Sequence, residues 1–160
     1  MFEKGPIRVG GILTFRRLAR LGVMSAPDRP GLAAAIFRAL GQADLNVQFI
    51  VQSIDLNRDS HVQFCMAQED LSEALRLIYP IAKELDAERV THRRGVCMLC
   101  IFGPDFRERP GIAGTAFHAL GEAGINILAV STSISTVTCV LDEQDYERGM
   151  QALQAVFELP

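Results

Sequence analysis

Two short loops carry the residue types best suited to hold a small charged molecule. Asp28-Arg29-Pro30-Gly31 and Glu108-Arg109-Pro110-Gly111 each supply turn chemistry directly ahead of an apolar pattern at helical spacing. The first pattern is Leu32, Ile36, Phe37, Leu40, and the second is Ile112, Ala116, Phe117, Leu120. A helix start leaves its first N–H groups without acceptors, and its dipole favours negative charge, so the amides around Gly31 and Leu32 suit a carboxylate. Gly31 and Gly111 stand where the backbone must expose those groups with no side chain in the way. Asp28 could receive an ammonium, and Asn46 and Gln52 could satisfy other polar atoms. The same residues have an ordinary structural reading. Pro and Gly cap helices, Asn46 and Asn126 tolerate tight turns, and Gln52 could face solvent.

The remaining reactive residue types form no constellation. Cys97 and Cys100 make a C-x-x-C inside the apolar run Val96–Phe102, where a strand sends positions three apart to opposite faces. With no second such pair and no paired histidines, Cys65, Cys97, Cys100 and Cys139 are expected as buried, reduced thiols, and no metal or cofactor is expected. His61, His92 and His118 have no convergent partners in the sequence and are expected to be structural or exposed. Acyl-phosphate chemistry on a small α/β fold would need an Arg and an Asn converging on a phosphate loop, and no such set is evident.

An internal repeat supplies the elements that must position the loops. RPGLAAAIFRALGQADLNVQFIVQS from Arg29 and RPGIAGTAFHALGEAGINILAVSTS from Arg109 agree at 11 of 25 positions without a gap. Each copy reads as strand (Leu18–Ser25; Val96–Phe102), helix, strand (Val47–Ser53; Ile127–Ser133) and strand (His61–Ala67; Ser135–Leu141). A second helix follows, Leu71–Leu85 or Tyr146–Phe157, each opened by acidic residues that complement its dipole. Copy one adds a fourth strand, Ala87–Thr91, whereas copy two has none of its own. The orphan strand Ile7–Phe15 is expected to fill that place, with copy one inserted in copy two. The basic pairs Arg16-Arg17 and Arg93-Arg94 read as solvated connectors.

Composition narrows the classes. The chain of 160 residues is 49% hydrophobic, enough for a buried core, and its net charge of −3 with no basic stripe argues against nucleic acid. The start MFEKGPIRVGG lacks the apolar core of a signal peptide, and no run reaches membrane-spanning length, so a cytoplasmic protein without membrane association is expected.

The segments PDRPGLAAAIFRALGQADLNVQFIVQS and RPGIAGTAFHALGEAGINILAVSTS resemble the two ACT domains in the regulatory region of aspartate kinases, and so do GGILTFRRLARLGVM and LDEQDYERGMQALQAVFELP. The resemblance spans residues 7–160. It implies an α+β fold of two ferredoxin-like βαββαβ ACT domains, the first (17–92) inserted into the second (7–16 plus 93–160). It further implies a homodimer with sheets joined side by side, and a small amino-acid effector such as threonine, lysine or methionine. Some bacteria make this region as a separate regulatory subunit, so an aspartate kinase catalytic subunit is an implied partner. No kinase catalytic domain or nucleotide motif is expected within the chain. Asp28, Gly31, Ala33, Asn46, Val47 and Gln52 match the family's effector-contact positions, as do Asn126 and Ile127 in the second unit. With Pro30 and Leu32 of the loop itself these form the candidate site, centred on the first loop and closed by Asn126 and Ile127 of the partner subunit. Three places depart from the family pattern: Gln48, the strand opening Asp59-Ser60-His61, and Ser131-Thr132-Ser133-Ile134. Two function classes follow: an amino-acid-binding regulatory module, or an interaction module that keeps the dimerising sheets without the ligand.

Overall fold

The structure is a computed structural model that describes residues 6–104 and 106–160; the opening stretch read above for a targeting signal lies partly outside the described residues. The elements run β1 (Ile7–Arg8), β2 (Gly11–Pro27), α1 (Leu32–Gln42), β3 (Phe49–Ile54), β4 (Asp59–Ala67) and α2 (Leu71–Glu84). They continue as β5 (Arg89–Phe102), α3 (Ile112–Glu122), β6 (Ala129–Thr132), β7 (Thr136–Asp142), α4 (Tyr146–Val156) and β8 (Phe157–Glu158). Two compact units result: an inserted unit, Arg17–Gly95, and an outer unit made of the chain up to Arg16 with Val96–Pro160.

Each unit is a βαββαβ module. In the inserted unit the strand order is β3-β4-β2-β5, and in the outer unit it is β2-β5-β7-β6. Strands β2 and β5 therefore serve both units, and each carries a left-handed residue where it passes from one to the other, Arg17 (φ 55) and Gly95 (φ 69). Antiparallel pairing sets β2 against β4 from Leu18↔Ala67 to Pro27↔Asp59, with a bulge between Val23 and Ala26. At that bulge Ser25 also takes positive φ.

Alternation on the strands and helical spacing together build each core. Leu21, Val23, Val62, Phe64 and Met66 on the inserted sheet meet Leu32, Ile36 and Leu40 of α1 and Leu71, Ala74 and Ile78 of α2. Phe37 meets Phe64 edge to face at 5.3 Å. In the outer unit Cys97, Leu99, Ile101, Cys139 and Leu141 pack on Ile112, Ala116, Leu120 and Leu153. No helix among the described residues is long and apolar enough to cross a membrane.

Close approach requires one glycine on β2. A Cβ at Gly22 would lie 2.5 Å from Thr91 Oγ1 and 2.8 Å from Met24 Sδ. Gly22→Val is expected to cost on the order of 1–3 kcal/mol through overpacking, read as a lower urea midpoint at unchanged m-value. An unchanged midpoint would show that β5 yields at Thr91 without strain.

Several sequence expectations need correction. Ile7–Phe15 is not one strand: β1 ends at Arg8 and pairs in parallel with β8, and β2 begins at Gly11. Nor are Arg16-Arg17 and Arg93-Arg94 connectors, since both pairs lie inside strands. Arginine does not break a strand as Gly, Pro or Asn clusters do, so the backbone pairs straight through. Arg16 bonds Glu143 at 2.7 Å and lies over the Tyr146 ring, while Arg94 donates to the Gln68 carbonyl. The third strands of both units match their expected places closely, but β3 and β6 start two residues later than expected.

Candidate functional site

The first loop leaves the start of α1 open. Gly31 caps the helix in a left-handed conformation (φ 90, ψ −5), and among the described residues no side-chain capping bond is made there. The Leu32 N–H, expected to be open, is taken by the turn itself and donates to Arg29 O at 3.4 Å; Ala35 N–H makes the first helical bond, to Gly31 O at 2.9 Å, so the open amides are those of Ala33 and Ala34. Nothing lies within 4 Å of where a Cβ would stand on Gly31, so that face is clear. The loop is anchored on its other side by Arg29, whose guanidinium donates to Glu84 O near the C-terminus of α2.

Asp28, three residues ahead of Gly31, is held at two points. Its N–H donates to Arg58 O at 3.0 Å, and its Oδ1 accepts from Ser60 Oγ at 3.0 Å. Ser60 Oγ in turn accepts from Gln52 Nε2 at 3.3 Å. Ser60 is fully buried and is the buried polar residue among the described ones. It shares the inward face of β4 with Val62, Phe64 and Met66. A polar residue in that apolar stripe is the sequence signal that singles it out.

The expected site residues separate into two groups within each unit. Asp28, Pro30, Gly31, Leu32, Ala33 and Gln52 come together at the N-terminal end of α1. Asn46 and Val47 follow the other end of α1, about 16 Å along an eleven-residue helix. Asn46 borders a separate cavity of about 350 Å³ with Gly41, Asp44 and Leu45. Asn126 and Ile127 occupy the corresponding place after α3. The tight turns that Asn46 and Asn126 could have made are instead made by Asp44 (φ 60) and Gly124 (φ 71), each followed by a backbone bond from the next residue to the last helical turn.

The second loop has the same backbone and different surroundings. Gly111 is left-handed (φ 95), and a cavity of about 250 Å³ lies over it, bordered by Arg109, Ala113, Thr132 and Ser133. At the repeat's constant offset Glu108 stands where Asp28 does, so an acidic residue is present in both loops. Strand register makes Thr132 the counterpart of Gln52 and Ser135 that of Ser60, and Ser135 is exposed. The bonds Gln52–Ser60–Asp28 have no equivalent there among the described residues.

His61, expected to lack convergent partners, has two. Its Nδ1 accepts from Ser25 N–H at 3.1 Å, and its Nε2 faces Asp55 Oδ2 at 2.9 Å. Since a backbone N–H can only donate, the proton of the neutral ring is on Nε2, directed at Asp55. That bond, with the N–H groups of Asp59 and Asn57, holds the Asp55 carboxyl below its usual range. A depressed folded pKa contributes stability above the unfolded value and loses it as pH falls through the folded one. Asp55→Asn should therefore lower the melting temperature near neutrality, differ little from native protein in strong acid, and so flatten the fall of melting temperature below about pH 4. Parallel acid melting curves for the two proteins would contradict this. The four cysteines are buried and free, and burial pushes the Cys65, Cys97 and Cys139 thiols up to about 12, far from reactive thiolates.

Comparison with known proteins gives a consistent result. Sequence profiles described as ACT domain match residues 19–78 and 99–157. An aspartokinase from Helicobacter pylori is 30% identical over 151 residues, which are 94% of this chain and 37% of that protein. The chain thus spans well under half the length of the curated relatives it matches. The regulatory subunit of aspartate kinase from Thermus thermophilus, solved in a ligand-free form, superposes with a TM-score of 0.85 at 25% identity. That match covers 94% of this chain and 99% of the subunit. A chain from a structure of aspartokinase alpha and beta subunits gives a TM-score of 0.84 at 28% identity, covering 92% of this chain and 97% of that one.

Proposed function

This chain belongs to the ACT-domain family, with two such domains of the kind found in aspartate kinase regulatory regions, and from that premise we propose that it binds a small α-amino acid at the first loop as a feedback regulator. One observation carries the proposal: open α1 amides and the Asp28 carboxylate share one end of the inserted unit. Those groups complement the carboxylate and the ammonium of a free amino acid. The regulated enzyme is an aspartate kinase or a related amino-acid pathway enzyme. A catalytic subunit as partner is supported by the likeness to a chain of an alpha and beta subunit assembly. Titration calorimetry against threonine, lysine, methionine and the branched-chain amino acids tests the ligand, and a chain that takes up none of them would refute it.

A second reading, an interaction module without ligand, draws on the sheet edges. β3 and β6 are terminal strands, and Ile50 and Ile54 on β3 are 48% and 55% exposed. Unpaired edges with apolar side chains invite pairing with another chain. A homodimer joined along such edges accommodates both readings, with Asn126 and Ile127 of the partner subunit completing the ligand site. Its interface should exceed about 1,000 Å². Sedimentation at micromolar concentration should give a dimer, and a monomer with and without amino acids would remove the shared-site arrangement.

A further inference from the structure

We propose that Ser60 is the positioning residue of the first loop, and that its hydroxyl sorts ligands by presenting two free acceptor oxygens, Asp28 Oδ2 and Gln52 Oε1, to whatever binds there. The proposal rests on the amino-acid-binding reading above and specifies which ligands that site accepts.

The argument is one of donors and acceptors. An ionised carboxylate only accepts, so the single Ser60 proton is committed to Asp28 Oδ1 at 3.0 Å. With its proton spent, the hydroxyl offers Gln52 only a lone pair. What reaches it from Gln52 at 3.3 Å must therefore be the amide N–H. The Gln52 carbonyl oxygen is thereby turned away from Ser60, and Asp28 Oδ2 has no protein partner among the described residues. The clamp cannot relax into solvent, because Ser60 is fully buried on the inward face of β4. Breaking the bond to Asp28 would leave the buried Ser60 O–H without an acceptor, which costs more than the bond itself contributes. Two outward acceptors, one charged, require a donor on the ligand, and the α-ammonium has that character. A second carboxylate would meet two like-signed oxygens, so acidic amino acids should be rejected while neutral and basic ones are admitted. Among the described residues the second loop has no such clamp, and Ser135 there is exposed.

The test uses the full chain and calorimetric titration with L-threonine, L-lysine, L-methionine, L-aspartate and L-glutamate, and with the desamino analogue of whichever amino acid binds, in which hydrogen replaces the α-ammonium. Native protein should bind a neutral or basic probe and neither acidic one. Ser60→Ala should weaken that amino acid roughly fivefold to thirtyfold, the range of one hydrogen bond to a charged group with some relaxation. Ser60→Thr, which retains the hydroxyl, should restore most of the affinity. The desamino analogue, which has no donor on its α-carbon, should bind native and Ser60→Ala protein alike, a result that general loosening of the unit would not produce. Should Ser60→Ala misfold, Ser60→Cys keeps nearly the same size with a much weaker donor and should weaken the amino acid in the same direction. Equal affinities for native, Ser60→Ala and Ser60→Cys protein would overturn the proposal while leaving the binding site standing. So would tight binding of aspartate or glutamate. Absence of binding by every probe would overturn the amino-acid reading itself, and this proposal with it.

Discussion

Asp28→Ala is expected to lower affinity for the bound amino acid about tenfold to over a hundredfold, because a charge-assisted partner of the ammonium is worth roughly 1.5–3 kcal/mol. The same change leaves the buried Ser60 hydroxyl without its acceptor, so some loss of stability should accompany it. Asp28→Asn separates the two effects. Its amide oxygen can still accept from Ser60, so stability should stay near native while the lost charge costs most of the affinity. Gly31→Val should be at least as damaging as Asp28→Ala, since φ 90 strains a branched residue and the new side chain stands over the open amides. The matching change at Gly111 should hurt binding less. Calorimetry on the four variants checks the series, and Asp28→Ala with native affinity would place the ligand elsewhere.

Removing residues 1–15 should unfold or strongly destabilise the outer unit. The deletion takes away Val9, a buried member of that unit's core, and the partly buried Ile7 and Ile12 packed against it. It also removes the Gly10 N–H bond to Phe102 O at 2.7 Å, the Val9 N–H bond to Glu158 O at 3.1 Å, and the start of β2 beside β5. Burying one such side chain contributes about 1.5–3 kcal/mol, and the net stability of a domain is about 5–15 kcal/mol. A truncated protein should therefore show a lost or lowered melting transition and fast amide exchange along Val96–Phe102, an edge no longer covered. The inserted unit begins at Arg17 and keeps its own core, so its exchange protection should survive. Melting and exchange like those of the full chain would mean that the N-terminal segment is not part of the outer unit.

The fold was legible because its signals are local and doubled. Period-two strands, helical stripes and two Pro-Gly turns recur at one offset, so each copy checks the other. Errors fell where continuity replaced a boundary. Nothing in Arg16-Arg17 or Arg93-Arg94 marks a strand that keeps pairing while it changes units, because the left-handed kinks at Arg17 and Gly95 are set by the partner strands. The break at Val9–Gly10 was likewise invisible, since β1 stops where its pairing with β8 stops.

The site was legible only in part. By itself the sequence determined the glycine-capped helix start and the presence of an acidic residue before it, as both follow from residue type and spacing. Only the tertiary structure decided which polar groups converge. Register between β3 and β4 brings Gln52 and Ser60 together and sets both against Asp28, 32 residues away from Ser60 in the chain. His61 gained its partners the same way, from a bulge on β2 and a turn after β3. Asn46, by contrast, is placed at the far end of α1 by chain order alone, since it follows that eleven-residue helix directly. Long-range hydrogen bonds depend on strand register, and register is a property of the assembled sheet rather than of any one segment.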